Sequence, residues 1–158
     1  MESITAHFGA DHDRLDVLFT EFQSLKRANP AAAKEKFKGF LKGLTRHIVW
    51  EEDVLFPLFE ARTGSKDSGP TAVMRLEHRQ IKVHLDAIHD KVRMADPDSD
   101  AAEAALLRLL KDHNMKEESV LYPAIDNGLY SGGLVSVQKA MDAIPEERYA
   151  CCCGAHAH

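Results

Sequence analysis

A histidine and a glutamate four residues apart occur twice in this chain within one larger frame. His47 and Glu51 open His-Ile-Val-Trp-Glu-Glu-Asp-Val-Leu-Phe-Pro, and His113 and Glu117 open His-Asn-Met-Lys-Glu-Glu-Ser-Val-Leu-Tyr-Pro. The two copies lie 66 residues apart, and the same offset carries His12 onto His78. Positions i and i+4 share a helix face, so each His–Glu pair can grip an ion from one side. Each copy is thus a lone histidine followed by a two-residue clamp, and the chain holds two such units. Four imidazoles and two carboxylates suit iron, manganese or zinc, and the absence of thiolate among them argues against a closed structural zinc site. Two ions near enough to share Glu51 and Glu117 favour iron ahead of manganese or zinc. With both carboxylates bridging, each ion receives two imidazole nitrogens and two oxygens. An oxo or hydroxo bridge adds a fifth ligand and leaves one exchangeable position per ion.

The elements that must bring these six residues together are helices. Apolar residues recur in steps of three and four along Phe8, Leu15, Phe19 and Phe22, then along Phe37, Phe40, Leu44, Leu55 and Leu58. Two further stripes follow, Met74, Ile81, Leu85, Ile88 and Val92, then Leu106, Leu110, Leu121 and Ala124. That is the pattern of a bundle seam, and no alternating strand pattern competes with it. His12, His47, Glu51, His78, His113 and Glu117 fall on these same stripes. Asn29-Pro30 reads as an N-cap and first helical residue. Thr63 to Pro70 reads as a loop and Asp96 to Asp100 as a turn, with Asp100 and Glu103 as a capping pair. Short links imply an all-α, up-down-up-down four-helix bundle. His12 lies 17 residues before Asn29 and His47 lies 18 after it; His78 lies 19 before Pro97 and His113 lies 16 after it. Legs of similar length return to one level, so all six polar residues converge in one layer. Buried charge and unpaired imidazole are costly unless neutralised, and two divalent cations neutralise them all. Pro57 and Pro123 are expected to stop or kink helices two and four. The division expected is a bundle over residues 1–130 and a short helix, about Leu134 to Ala143, with a tail over 131–158.

Lysine plus arginine number 20 against 25 aspartates and glutamates, a net charge of −5 that argues against general nucleic-acid binding. No apolar run approaches the ~18 residues of a membrane span, and the first residues lack the basic and apolar blocks of a secretory signal. Cys151, Cys152 and Cys153 are adjacent and cannot staple a domain, so a reducing cytoplasm is expected. With His156 and His158 they form a dense thiol and imidazole tail suited to a soft metal or to thiol exchange. Glu52 and Glu118, each next to a bridging glutamate, face either solvent or a histidine of another helix. His84 and His89 leave the seam and read as surface, and Trp50 reads as packing.

The doubled pattern H…HxxxE…H…HxxxE, carried by His12, His47, Glu51, His78, His113 and Glu117, resembles the hemerythrin-like, or HHE cation-binding, domain over about residues 3–127. The resemblance implies a four-helix bundle with a non-heme di-iron centre on those six residues. Oxygen carriers of that family have a second histidine four residues after the helix-three histidine, where this chain has Lys82. The four-histidine form resembles bacterial proteins of iron–sulfur repair and relatives reactive toward peroxide or nitric oxide. The implied ligands are O₂, peroxide or NO, and the implied partner is a redox or iron–sulfur protein. A sensor, oxygen-binding or iron-storage module without turnover is the alternative. Lys82, an ammonium without a lone pair, is expected to turn outward or to pair with a carboxylate.

Overall fold

A computed structural model describes residues 1–154, with side chains through residue 150, so the expectations for the thiols of Cys151, Cys152 and Cys153 and for His156 and His158 lie outside what is described. It is helical throughout, with no strand among the described residues. Four long helices carry the seams: α1 (Ile4–Leu25), α2 (Pro30–Trp50), α4 (Pro70–Arg93) and α5 (Asp100–Lys116). Shorter ones are α3 (Phe56–Thr63), α6 (Tyr122–Gly128), α7 (Gly133–Asp142) and α8 (Glu147–Gly154). Helix α1 packs along α2, α4 along α5, and α2 also touches α4.

Local chemistry accounts for most of the boundaries. Ser3 caps α1, its Oγ accepting the Ala6 N–H at 2.9 Å. Asn29 caps α2 as expected, its Oδ1 accepting the Ala32 N–H at 3.2 Å, with Pro30 at the first helical position. The α5 start differs from expectation. Ser99 is the N-cap, and its Oγ donates to Glu103 Oε2 at 2.5 Å, while Asp100 instead accepts from Lys26 and Arg27. The capping partner of Glu103 is therefore one residue earlier than the sequence suggested, because Asp100 is drawn to the two cations of α1's end. Asp126 ties the start of α1 to α6, accepting from Ile4 N at 2.7 Å and from Thr5 Oγ1 at 2.7 Å.

Pro57 and Pro123 neither stop nor simply kink their helices. A π-helical turn precedes each, Glu51–Leu55 and Glu117–Leu121, and the helix resumes as α3 and α6. The Phe56 N–H reaches the Glu51 carbonyl and the Tyr122 N–H reaches the Glu117 carbonyl, five residues back in both cases. A proline ring clashes with the carbonyl four residues before it and donates no hydrogen bond, and widening the preceding turn relieves both conflicts. Where one short C-terminal helix was expected there are two. Val137 and Met141 of α7 join the core, and Tyr149 of α8 is buried with its hydroxyl accepting the Trp50 indole N–H at 2.9 Å.

The apolar interior is split in two. One cluster gathers Phe19, Phe22, Phe37, Phe40, Ile81, Ile88 and Leu106; the other gathers Ile4, Phe8, Leu55, Phe56, Met74, Leu121 and Ile125. The six histidines and glutamates of the repeated motif lie between them, each no more than 4 % exposed. Burial of large side chains above and below, at about 2 kcal/mol each, holds the polar layer in place. No helix among the described residues is long and apolar enough to cross a membrane.

Candidate metal centre

Each helix offers the centre what its seam predicts. His12 comes from α1, His47 from the end of α2, His78 from α4 and His113 from the end of α5, and Glu51 and Glu117 begin the two π turns. Ligand atoms of Glu51, His78, His113 and Glu117 lie within 4.8 Å of one another, as do those of His12, His47 and Glu117. All six residues anticipated from the sequence are thus brought together. The imidazoles sit in two pairs, His12 with His47 at 4.6 Å between ring centres and His78 with His113 at 4.9 Å. His84 and His89, both half-buried, stand apart from the centre, and His89 lies against Phe37.

Every one of the four imidazoles has a carboxylate at Nδ1. His12 donates to Glu118 at 2.8 Å, His47 to Asp11 at 2.9 Å, His78 to Glu52 at 2.5 Å and His113 to Glu77 at 2.9 Å. A carboxylate only accepts, so Nδ1 carries the hydrogen and Nε2 is left to face inward. All four Nε2 atoms do so: His12 is 3.3 Å from Glu117, His113 3.3 Å from Glu117, His78 3.2 Å from Glu51 and His47 3.7 Å from Glu51. This is the carboxylate–histidine arrangement that fixes the tautomer and raises ligand basicity at metal sites. Glu52 and Glu118 therefore face histidines rather than solvent alone. Asp11 and Glu77 were not anticipated, although the sequence carried the signal. Each immediately precedes a lone histidine, and the 66-residue offset maps one onto the other.

Tyr122 was also missed. Its ring is fully buried, and its hydroxyl lies 2.7 Å from Glu51 Oε2, 3.0 Å from Glu117 Oε1 and 3.1 Å from His47 Nε2. On a regular α-helix a residue five past Glu117 would point about 140° away from it. The π turn removes that offset and brings the phenol onto the carboxylate face. Phe56 occupies the matching place after Glu51, with its ring stacked on His78 at 5.7 Å.

The centre demands positive charge. Burial works against protonated imidazole, yet Glu117 and Glu118 lift His12 to about 9, and Glu51 and Glu52 lift His78 to about 10. Burial, with the neighbouring His12, outweighs Glu51 and Asp11 and carries His47 the other way, downward. Burial and the neighbouring Glu117 charge push Glu51 up, while burial is outweighed at Glu117 by the donors around it, which hold it down. The outer carboxylates are kept ionised. Burial raises Asp11, but its bonds to His47 and Arg14 hold it at about 2. Glu77 is likewise lowered against its burial by Lys116 and His113.

The donor set passes a direct test for a bound cation. Glu51 Oε1, His78 Nε2 and Glu117 Oε2 are buried without a hydrogen-bond partner. Three such atoms facing one another would each cost about 1–3 kcal/mol if nothing were placed between them. Imidazole nitrogen and carboxylate oxygen are ligand types that divalent cations prefer, so a cation bound here would satisfy them. Lys82 does not intrude: its ammonium turns outward onto Asp86 at 2.8 Å, as expected.

Comparison with known proteins agrees with this chemistry. The chain is 31% identical over 121 residues to a DNA nickase of Nostoc sp. (strain PCC 7120), covering 77% of this chain and 33% of that protein. It is 27% identical over 103 residues to the iron-sulfur cluster repair protein YtfE of Yersinia pestis (strain Pestoides F), covering 60% of this chain and 47% of that protein. YtfE of Yersinia pseudotuberculosis serotype O:1b (strain IP 31758) matches to the same extent, 27% over 103 residues, with 60% and 47% covered. The chain thus spans less than half the length of these relatives. No solved structure matches it. The hemerythrin HHE cation-binding domain profile matches residues 3–125, and the chain, whose buried His/Glu layer falls within that span, belongs to the hemerythrin HHE cation-binding family.

Proposed function

We propose that the chain holds two iron ions, one at His12 and His47 and the other at His78 and His113, with Glu51 and Glu117 shared between them. The bundle of residues 1–130, running up-down-up-down, is the unit that carries this centre, and Val137, Met141 and Tyr149 pack against it from the C-terminal side. The observation that carries the reading is the orientation of four imidazoles. Each is locked by a carboxylate at Nδ1 and presents Nε2 to two buried glutamates. Such an ion pair supplies redox chemistry with small molecules such as peroxide, nitric oxide or O₂, or iron for delivery to a damaged iron–sulfur centre. The protein's own groups do the rest. Asp11, Glu52, Glu77 and Glu118 set imidazole orientation and basicity. The two apolar clusters exclude bulk water from the layer. Lys82, standing where an oxygen carrier has another histidine, withholds a further nitrogen and points to reaction rather than reversible O₂ carriage.

The likeness to YtfE supports repair of iron–sulfur centres as the physiological setting, with an iron–sulfur protein as partner in a cytoplasmic environment. The experiment loads the protein with ferrous iron and counts metal. Two ions per chain are expected, and the loaded protein should melt about 10 °C above the chelated one, as binding at ~1,000 times Kd implies. One zinc per chain after expression with ample iron, or equal melting temperatures, would remove this reading. Consumption of peroxide or nitric oxide by the loaded protein separates a reactive centre from a sensor or store.

A further inference from the structure

The two repeats are matched at every proposed ligand but not at the residue that follows each π turn. Phe56 there is a hydrocarbon; Tyr122 brings an oxygen. That oxygen is placed on one side of the centre only. Besides its contacts with Glu51, Glu117 and His47 it lies 3.5 Å from His12 Nε2. It is thus within reach of both imidazoles of one pair, and no hydroxyl hydrogen bond to His78 or His113 occurs among the described residues.

A phenol has one proton to donate. It can satisfy one of Glu51 Oε2, Glu117 Oε1 and His47 Nε2, and the remaining acceptors then face its oxygen lone pairs at 2.7–3.1 Å. The ring cannot turn aside. It is buried to 0 % exposure, stacked on His12 at 5.9 Å and packed against Phe8 at 5.3 Å. Oxygen, nitrogen and carboxylate lone pairs gathered on one point are the surroundings of a cation. Glu117 reaches the layer by its four-residue spacing from His113, and the widened turn that begins there brings the phenol to the same place.

We propose that Tyr122 Oη is itself a ligand of the ion held by His12 and His47, so that the two metal positions are chemically unequal. This rests on the two-ion reading above. The position at His12 and His47 receives two nitrogens, the shared carboxylates and the phenol oxygen. The position at His78 and His113 has Phe56 in place of that oxygen and keeps its exchangeable site for small molecules. On ligation the phenolic O–H bond breaks heterolytically, the proton leaves to water, and the oxygen keeps the electron pair it donates to the ion. No oxidation state changes.

The test is spectroscopic. The iron-loaded, air-oxidised full chain is examined by visible absorption and resonance Raman, with iron counted on the same sample. A tyrosinate-to-iron(III) charge-transfer band, with enhanced phenolate ring modes, is expected in the unaltered protein. Tyr122→Phe should lose the band entirely while keeping two irons, since Phe56 shows that phenylalanine fits this place in the fold. Two irons without phenolate modes in the unaltered protein would overturn the proposal and leave the two-ion reading intact. So would a band that persists in Tyr122→Phe. A protein that takes up no iron overturns both, and the metal count tells the cases apart. The spectrum of the unaltered protein decides the matter even if the variant fails to fold.

Discussion

Two surface grooves, each walled by helices of both repeats, reach histidines of the polar layer, and they carry opposite charge. The groove between α1 and α5 reaches His12 and is lined by Asp13, Asp16, Glu118 and Lys111. The groove between α2 and α4 reaches His78 and is lined by Glu52, Arg79, Lys82 and Arg148. The 66-residue offset carries Asp13 onto Arg79, Asp16 onto Lys82 and Glu52 onto Glu118. The residue that binds the histidine is therefore the same type in both grooves, while the two residues that line the outer wall are reversed in sign. The same division runs inward, where the six proposed ligands match pairwise and Phe56 faces Tyr122 across the repeat. Groups that must balance the charge of an ion are bound to one chemistry. Groups one turn away are free to differ, and they make the two halves unequal.

That comparison breaks most severely at Glu51 and Glu117, the carboxylates proposed to be shared. Glu51→Ala or Glu117→Ala removes oxygen from both positions at once and should cost both ions. His47→Ala or His113→Ala removes one imidazole from one position and should leave the other ion in place. Metal analysis of the four variants reads this directly. A Glu51→Ala protein with two full ions would mean that the carboxylate is not shared.

Next in size are the carboxylates behind the imidazoles. Removing an acceptor of this kind costs about 10–100-fold in metal affinity. Asp11→Ala should fall near the upper end and Glu77→Ala near the lower. Asp11 is the more buried, at 8 % exposure against 14 %, and also anchors Arg14, which donates to it at 3.0 Å. Competition against a chromogenic chelator measures both affinities. Equal affinities in Asp11→Ala, Glu77→Ala and the unaltered protein would show that these carboxylates only decorate the fold.

The centre was legible in the sequence because its logic is periodic. A four-residue spacing, a repeated offset and helical seams are visible without coordinates, and they were enough to name His12, His47, Glu51, His78, His113 and Glu117 as one layer. What stayed hidden depends on departures from that periodicity. Tyr122 enters the site only because Pro123 is preceded by a π turn, and a regular helix would have aimed it elsewhere. Asp11 and Glu77 lie next to a seam position rather than on it, so the stripe passes them by, although their pairing across the repeat could have drawn attention. The Ser99 cap was displaced by a long-range effect, since Asp100 answers to Lys26 on a helix far away in sequence. Seams and offsets are local properties of the chain; widened turns and cross-helix ion pairs depend on what the fold brings together.

The smallest effect concerns the grooves themselves. An anion approaching the layer meets Arg79, Lys82 and Arg148 on one side and Asp13, Asp16 and Glu118 on the other. Fields of opposite sign at two openings favour one route for a charged ligand, and surface charges act over about 10 Å at 0.1 M salt. The effect is damped here because Lys82 is already paired with Asp86 and Arg148 with Asp53 at 2.7 Å. Azide added to the iron-loaded protein is a suitable probe, followed by stopped-flow absorbance. Arg79→Glu with Lys82→Glu should slow its association roughly two- to fivefold at low salt. The difference should shrink as salt rises, with the dissociation rate little altered. Asp13→Lys with Asp16→Lys should have the smaller influence, because Phe56 and not Tyr122 stands beside the pair of imidazoles that the basic groove serves. If reversing the acidic groove speeds azide binding while reversing the basic groove leaves it unchanged, small anions reach the centre on the His12 side, and the inequality of the two halves runs opposite to the one drawn from Tyr122.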